Sequence, residues 1–390
     1  MSKNKIFIEG LGLVEGHFSG VGHYINGILS GLDELLEKKK YLEQQDLPEI
    51  YVVIPRDTIK KFKKFGYRNI RYKTVPFSFR KMGVLWTRNK LPPLDLFTGK
   101  GTFLFTRFVP MPLMFSKSSV IIYDLSYELF KQFAEERNRQ FLSQRVSKTI
   151  HSVDRVFTIS KNAKKEIMNF YRIDEEKVLI AHPAADQKYF YRRSNKEIVR
   201  VKNKYEIKGD YILALSNLEP RKNLETLVKA YCTLPKKYRD TISLLLVGVS
   251  GWKTDALFQS IIKKVEEGYK IIRPSSYVLD MDIPAVISGA KMLVYPSYYE
   301  GFGMPPLEAL ACGVPVITAD NSSLPEVVGK NGKMIKCDDT KGLVESIANY
   351  LDDIENVTNK SIIDGPAQAS NFSWQKSAKV YWDYFMEANK

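Results

Sequence analysis

The feature that most constrains this chain is a pair of alternating series, short apolar runs followed by amphipathic stretches, on either side of a charged segment. In the first half, Ile6-Phe7-Ile8, Tyr51-Val52-Val53-Ile54, Thr102-Phe103-Leu104-Phe105 and Val120-Ile121-Ile122-Tyr123 read as buried strands. Between them, Tyr24–Leu36 and Arg137–Ile150 place apolar residues at helical spacing. After the charged stretch Asp186–Asp210 a second series runs through Tyr211–Leu215, Ser243–Gly248, Met292–Pro296 and Val314–Ile317, with a helical Leu224–Leu234 among them. Strands alternating with helices form βαβ units, which build parallel sheets covered on both faces. Two such series predict an α/β protein of two Rossmann-like, doubly wound domains. Ligands of such sheets sit beyond the carboxyl ends of the strands, so the two domains are expected to face a central cleft that holds the site. From Phe372 to Met386 an amphipathic helix is expected, with Ser373 as its N-cap and Trp374, Ala378, Tyr381 and Phe385 on one face.

At 44% hydrophobic and 26% charged residues, a disordered or coiled-coil chain is excluded. No stretch approaches the ~18–20 uninterrupted apolar residues of a membrane-spanning helix. The run Ile6-Phe7-Ile8 after Met1-Ser2-Lys3-Asn4-Lys5 is too short for a signal peptide, so a cytoplasmic protein is expected. Three scattered cysteines (Cys232, Cys312, Cys337) and four histidines (His17, His23, His151, His182) match no zinc or CxxC spacing. Lysine and arginine number 59 against 44 acidic residues, a net charge of +15. The excess is dense in the first half, as in Lys60-Lys61-Phe62-Lys63-Lys64, and points to an anionic partner. No nucleic-acid-binding motif accompanies it, so an anionic membrane surface or a lipid-linked acceptor is preferred to nucleic acid.

Three segments carry residues suited to chemistry. Pro296 to Val316 leaves a strand, passes the turn Glu300-Gly301-Phe302-Gly303-Met304 and enters a helix at about Pro306. Glycines there let backbone amides approach a ligand, the helix N-terminus favours an anion, and Glu300 and Glu308 are expected to border one pocket and accept from hydroxyls. A tight turn with solvated glutamates is the alternative. Arg221 and Lys222 follow a strand, where a guanidinium fork and an ammonium suit a diphosphate, although residue type alone favours a solvated basic turn. Gly20 and Gly22 open a helix, offering amides to a phosphate or to the acceptor, or forming a plain tight turn. Gly10-Leu11-Gly12-Leu13-Val14-Glu15 fails the dinucleotide fingerprint at Glu15, which rejects nicotinamide binding.

Taken together these segments resemble retaining nucleotide-sugar glycosyltransferases of family 4, whose fold is called GT-B. The resemblance rests on Glu300-x7-Glu308 within Glu-Gly-Phe-Gly-Met-Pro-Pro-Leu-Glu-Ala, on Leu215–Leu224 as the basic loop, and on Asp320–Val327 as a later donor-side loop. It extends to Thr158–Ala163, to Gly20-Val21-Gly22-His23-Tyr24 and to the C-terminal Phe372-Ser373-Trp374, and so runs from about residue 6 to 386. It implies an N-terminal acceptor-binding domain over 1–190, a C-terminal nucleotide-sugar donor-binding domain over 191–370, and a helix over 371–390 that returns to the first domain. It also implies that Glu300 holds hydroxyls of the donor sugar beside the amides of Phe302, Gly303 and Met304. Glu308 would accept from the ribose, Arg221 and Lys222 would grip the diphosphate, Ser216 and Asn217 would line the same loop, and the base would lie near Tyr277 and Val278. Gly20 and Gly22 would meet the donor from the first domain.

Two departures from the family pattern stand out. A histidine of the first domain, in a His-Asp-Leu segment or a preceding loop, is replaced by Tyr123-Asp124-Leu125 and Thr106-Arg107-Phe108, leaving Asp124 as the acidic candidate. An arginine common near Asn217 is absent, so the cationic load falls on Arg221 and Lys222. The expectation is a metal-independent, cofactor-free retaining transferase. It would move mannose or a related hexose from a nucleoside-diphosphate sugar to a saccharide or lipid-linked saccharide, in surface polysaccharide assembly at the inner face of the membrane. The rivals are an inactive GT-B partner subunit or glycan-binding protein, and a GT-B nucleotide-sugar epimerase.

Overall fold

Each apolar run becomes a strand, and the strands pair into two sheets. The computed structural model describes residues 4–14, 20–42, 47–76, 92–249, 251 and 254–388, so Glu15 and His17 lie outside the described residues. The first sheet holds β1 (Lys5–Glu9), β2 (Glu49–Pro55), β3 (Arg71–Val75), β4 (Thr102–Phe105), β5 (Lys117–Ile121), β6 (Arg155–Thr158) and β7 (Val178–Ile180). Their order is β3-β2-β1-β4-β5-β6-β7, with the pairs parallel. The second sheet holds β8 (Asp210–Leu215), β9 (Ile242–Val247), β10 (Ile271–Ile272), β11 (Met292–Tyr295), β12 (Val316–Ala319) and β13 (Lys333–Ile335). Its parallel order is β10-β9-β8-β11-β12-β13. Both orders are the Rossmann arrangement, in which the direction of winding reverses beside the first strand. The chain divides into one unit of Met1–Pro183 with Ser373–Lys390 and another of Ala184–Phe372.

Three local expectations are corrected. β5 ends at Ile121, so Tyr123 lies beyond the strand. β12 starts at Val316 rather than Val314, because Pro315 has no N–H for the ladder and contributes only its carbonyl, to Leu293 N. The charged stretch before Asp210 contains a helix, Asn195–Lys204, started by a capping box: Ser194 Oγ accepts from Glu197 N, and Glu197 accepts from Ser194 N.

Within the first unit the C-terminal helix Trp374–Ala388 packs on the helix Gly20–Tyr41. Ser373 Oγ accepts from Lys376 N at 3.2 Å, and Ala378, Tyr381 and Phe385 are buried. Gly27 makes the docking close: a Cβ there would lie 2.3 Å from the Trp374 ring. Tyr24 and Tyr381 share a hydroxyl contact of 3.0 Å, and Tyr381 stacks on Phe157 at 4.2 Å. Within the second unit, Gly365 on the helix Ile354–Ala369 meets the helix Met304–Ala311, and a Cβ there would lie 2.5 Å from the Leu310 carbonyl oxygen.

Candidate functional site

In the second sheet the winding reverses between β8 and β11, and the segments leaving their carboxyl ends, Ser216–Asn223 and Pro296–Gly303, meet there. The loops fix each other. Pro220–Lys222 form a short 3-10 turn, after which Asn223 adopts the left-handed region (φ 55°) that asparagine tolerates. Its amide donates to Pro296 O at 3.0 Å and to Cys337 O at 2.7 Å, while Tyr298 N donates to Arg221 O at 2.9 Å. These bonds aim Arg221 and Lys222 at the segment after β11.

Four charged side chains converge at that point. Lys222 Nζ donates to Glu300 Oε1 at 2.7 Å and to Tyr295 OH at 3.0 Å. Arg221 Nη1 donates to Glu300 Oε2 at 3.0 Å and also to the Tyr299 carbonyl, and Nη2 donates to Glu219 Oε1 at 2.7 Å. Glu300 is 6% exposed, Lys222 9% and Glu219 4%. Burial alone would raise the Glu300 carboxyl, but Arg221 and Lys222 outweigh it and hold it at about 2. Burial draws the Lys222 ammonium below its ordinary value, against the pull of Glu300.

The turn that carries Glu300 is supported from the next loop. Glu300 N donates to nothing in its own turn and points to Ser322 Oγ at 3.0 Å. Ser323 Oγ donates to the carbonyls of Glu300 and Phe302 at 2.9 and 2.6 Å. Gly303 then caps the helix at φ 113°, a conformation that suits glycine. The helix starts at Met304, earlier than the expected Pro306. Pro305 and Pro306 have no N–H, so among the first three helical positions only Met304 has an amide to offer. That is a narrower donor set than a helix terminus usually presents, and it suits a hydroxyl or a single oxygen better than a phosphate cradle.

Glu308, one turn into this helix, faces different groups from Glu300. Burial and then the charge of Asp280 push its carboxyl up to about 8. Nearby, Tyr277 is exposed and donates to Asp280 at 3.0 Å, while Val278 is buried. That loop is pinned by Tyr205, whose hydroxyl donates to Asp282 at 2.8 Å and accepts from Leu279 N at 3.0 Å. Asp282 is almost fully buried and takes Arg200 and Lys204 as well. Ser216 and Asn217 follow β8 directly, Ser216 N donating to Val247 O.

The remaining candidates belong to the first unit. Gly20 opens the helix Gly20–Tyr41 and Gly22 is buried in its first turn. Asp124 follows β5, and its carboxylate accepts from Ser126 N at 2.9 Å. Tyr123 donates to Thr106 O at 2.9 Å, and Arg107 Nε donates to Glu9 Oε1 at 2.8 Å, so the positions without histidine are occupied by a buried phenol and a paired guanidinium. Among the described residues no three His, Cys, Asp or Glu side chains gather where a metal could be held.

Sequence reasoning missed Glu219, Tyr295, Tyr205 and Asp282. A carboxylate two residues before Arg221, at the exit of a strand, was the available signal for Glu219. The other three take their roles from contacts distant in sequence.

The sequence and the fold of the chain are similar to those of known proteins. The model of the family described as glycosyl transferases group 1 matches residues 195–361. The chain is 32% identical over 266 residues to the O-antigen chain mannosyltransferase B of Escherichia coli, a match covering 68% of this chain and 69% of that protein. It is 28% identical over 271 residues to the serotype-specific mannosyltransferase WbdA of Escherichia coli, covering 68% of this chain but 32% of that longer protein. The fold matches the crystal structure of a glycosyltransferase from Rickettsia africae ESF-5 with a TM-score of 0.70, covering 100% of both chains at 16% identity.

Proposed function

The chain belongs to the group 1 glycosyltransferases, with a GT-B fold, and from that premise we propose that it moves mannose or a related hexose from a nucleoside diphosphate to a saccharide or lipid-linked saccharide, with retention at the anomeric carbon. Surface polysaccharide assembly is the setting that its likeness to an O-antigen mannosyltransferase supports.

The observation that carries the reading is the convergence of Lys222 and Arg221 on Glu300 at the point where the second sheet reverses its winding. In the proposed complex Glu300 accepts from hydroxyls of the donor sugar, beside the amides of Phe302, Gly303 and Met304. Arg221 and Lys222 turn towards the diphosphate and stabilise its developing charge, with Ser216 and Asn217 beside them. Glu308 accepts from the ribose, and the base rests by Tyr277 and Val278. The N-terminal unit takes the acceptor, with Asp124 as its acidic group, and offers Gly20 and Gly22, at a helix start, to the donor. Lys and Arg perform the electrostatic work, so the reading asks for no metal.

Exposed Lys60, Lys61, Lys63 and Lys64 give the N-terminal unit a basic face suited to an anionic membrane on the cytoplasmic side. No helix among the described residues is long and apolar enough to cross a membrane.

The test is substitution. Glu300→Ala and Lys222→Ala should each abolish sugar transfer while circular dichroism stays native, and normal turnover in both variants would overturn the reading.

A further inference from the structure

Glu219 has no part in the reading above, yet it is buried inside the same cluster. Its Oε1 lies 2.7 Å from Arg221 Nη2 and 4.0 Å from Lys222 Nζ. The 3-10 turn places it there: Lys222 N donates to Glu219 O at 3.0 Å, which folds the two cations back over the carboxylate that precedes them. Glu219 and Glu300 therefore face Arg221 and Lys222, two negative groups against two positive ones. The four-residue cluster presents no net charge to a diphosphate. A site built only for the tightest grip on an anion would leave its cations unpaired.

Resting on the donor reading proposed above, we infer that Glu219 is a specificity-determining residue that keeps the released nucleoside diphosphate from binding more tightly than the sugar donor. During transfer the anomeric carbon–oxygen bond breaks and its electron pair stays on the phosphate oxygen. The acceptor oxygen bonds to the anomeric carbon, and its proton passes by way of that phosphate to solvent. The released terminal phosphate is then a monoester with a second ionisation near pH 6, so the product carries about one more negative charge than the donor at neutral pH. A carboxylate fixed beside the cations repels that extra charge, and so acts on the product more than on the donor.

Glu219→Gln tests this, because the amide oxygen can still accept from Arg221 while the charge is gone. Titration calorimetry should be run with GDP, UDP and ADP and with GDP-mannose, UDP-glucose and ADP-glucose. For whichever base binds, the variant should hold the free diphosphate about tenfold more tightly, with a smaller gain for the sugar conjugate. Glu219→Asp, which keeps the charge, should retain the wild-type ratio of the two affinities. A ratio unchanged in Glu219→Gln, or a ratio shifted equally in Glu219→Asp, would overturn the inference while leaving the donor reading in place. A folded wild-type protein that binds none of the six ligands would instead remove the donor reading itself.

Discussion

Lys222 and Glu300, 78 positions apart in the chain, meet at 2.7 Å in a site where each is less than a tenth exposed. Neither group is stable there alone. Removing one partner of a buried pair leaves the other charged and unpaired, which commonly costs about 3–5 kcal/mol. The second cation, Arg221, reduces the penalty for losing Lys222, but among the described residues no second carboxylate contacts Lys222 as closely as Glu300 does.

Glu300→Gln should therefore lower stability at pH 7 by about 2–4 kcal/mol, measured by urea denaturation. The sign with pH follows from the lowered carboxyl. Its stabilisation is present in full above the ordinary value of 4.5 and is lost as pH falls towards about 2. The gap between wild type and Glu300→Gln should accordingly shrink from pH 5 to pH 3. A gap that stays constant over that range would contradict the ion pair.

Glu308 has the opposite dependence. Its carboxyl is raised to about 8, so between the ordinary value of 4.5 and 8 the folded chain holds a proton that the unfolded chain has released. Folding stability falls as pH rises through that window, and Glu308→Gln should lack this part of the fall. Hydroxyls that donate to Glu308 favour its ionised form, so nucleotide binding at pH 7 should release protons. Calorimetry in buffers of differing ionisation enthalpy should detect that release in wild type and not in Glu308→Gln; equal proton release in both would contradict the placement of the ribose.

Gly365→Ala should disturb the site from a distance. The new Cβ would press on the Leu310 carbonyl in the helix that carries Met304 and Glu308. Alanine adds about 1 kcal/mol of helix propensity, which the overpacking of about 1–3 kcal/mol exceeds or offsets. The measurable outcome is a raised KM for the donor, with unfolding midpoints no higher than wild type. A stabilised variant with unchanged KM would show that the two helices do not meet as closely as described.

The alternation of strands and helices in two series was legible in the sequence because buried parallel strands are nearly all apolar, as β4, β9 and β11 are. So were the C-terminal helix, marked by Ser373 and the spacing of Ala378, Tyr381 and Phe385, and the strand exits that carry Arg221, Lys222 and Glu300. The helix Asn195–Lys204 was obscured by its charge, although Ser194 and Glu197 spell a capping box. The partners of the cations were not legible. A sequence shows that Arg221 and Lys222 stand at a strand exit, but not that Glu219 and Glu300 neutralise them, since that depends on a 3-10 turn and on which loops adjoin across the sheet. For the same reason the charged neighbours of Glu300 and Glu308, eight positions apart on one motif, were not legible: Arg221 and Lys222 stand beside the first and Asp280 beside the second.

The central claim is that the loops after β8 and β11 form a nucleoside-diphosphate pocket, and the most direct measurement is a thermal-shift panel of wild type and Lys222→Ala against GDP, UDP, ADP and dTDP. A ligand at 100 times its dissociation constant adds about 2.7 kcal/mol, enough to move the melting point visibly. The account predicts that one diphosphate raises the wild-type melting point and that the shift is lost in Lys222→Ala. A folded wild-type protein unmoved by all four, or an equal shift in the variant, would contradict it.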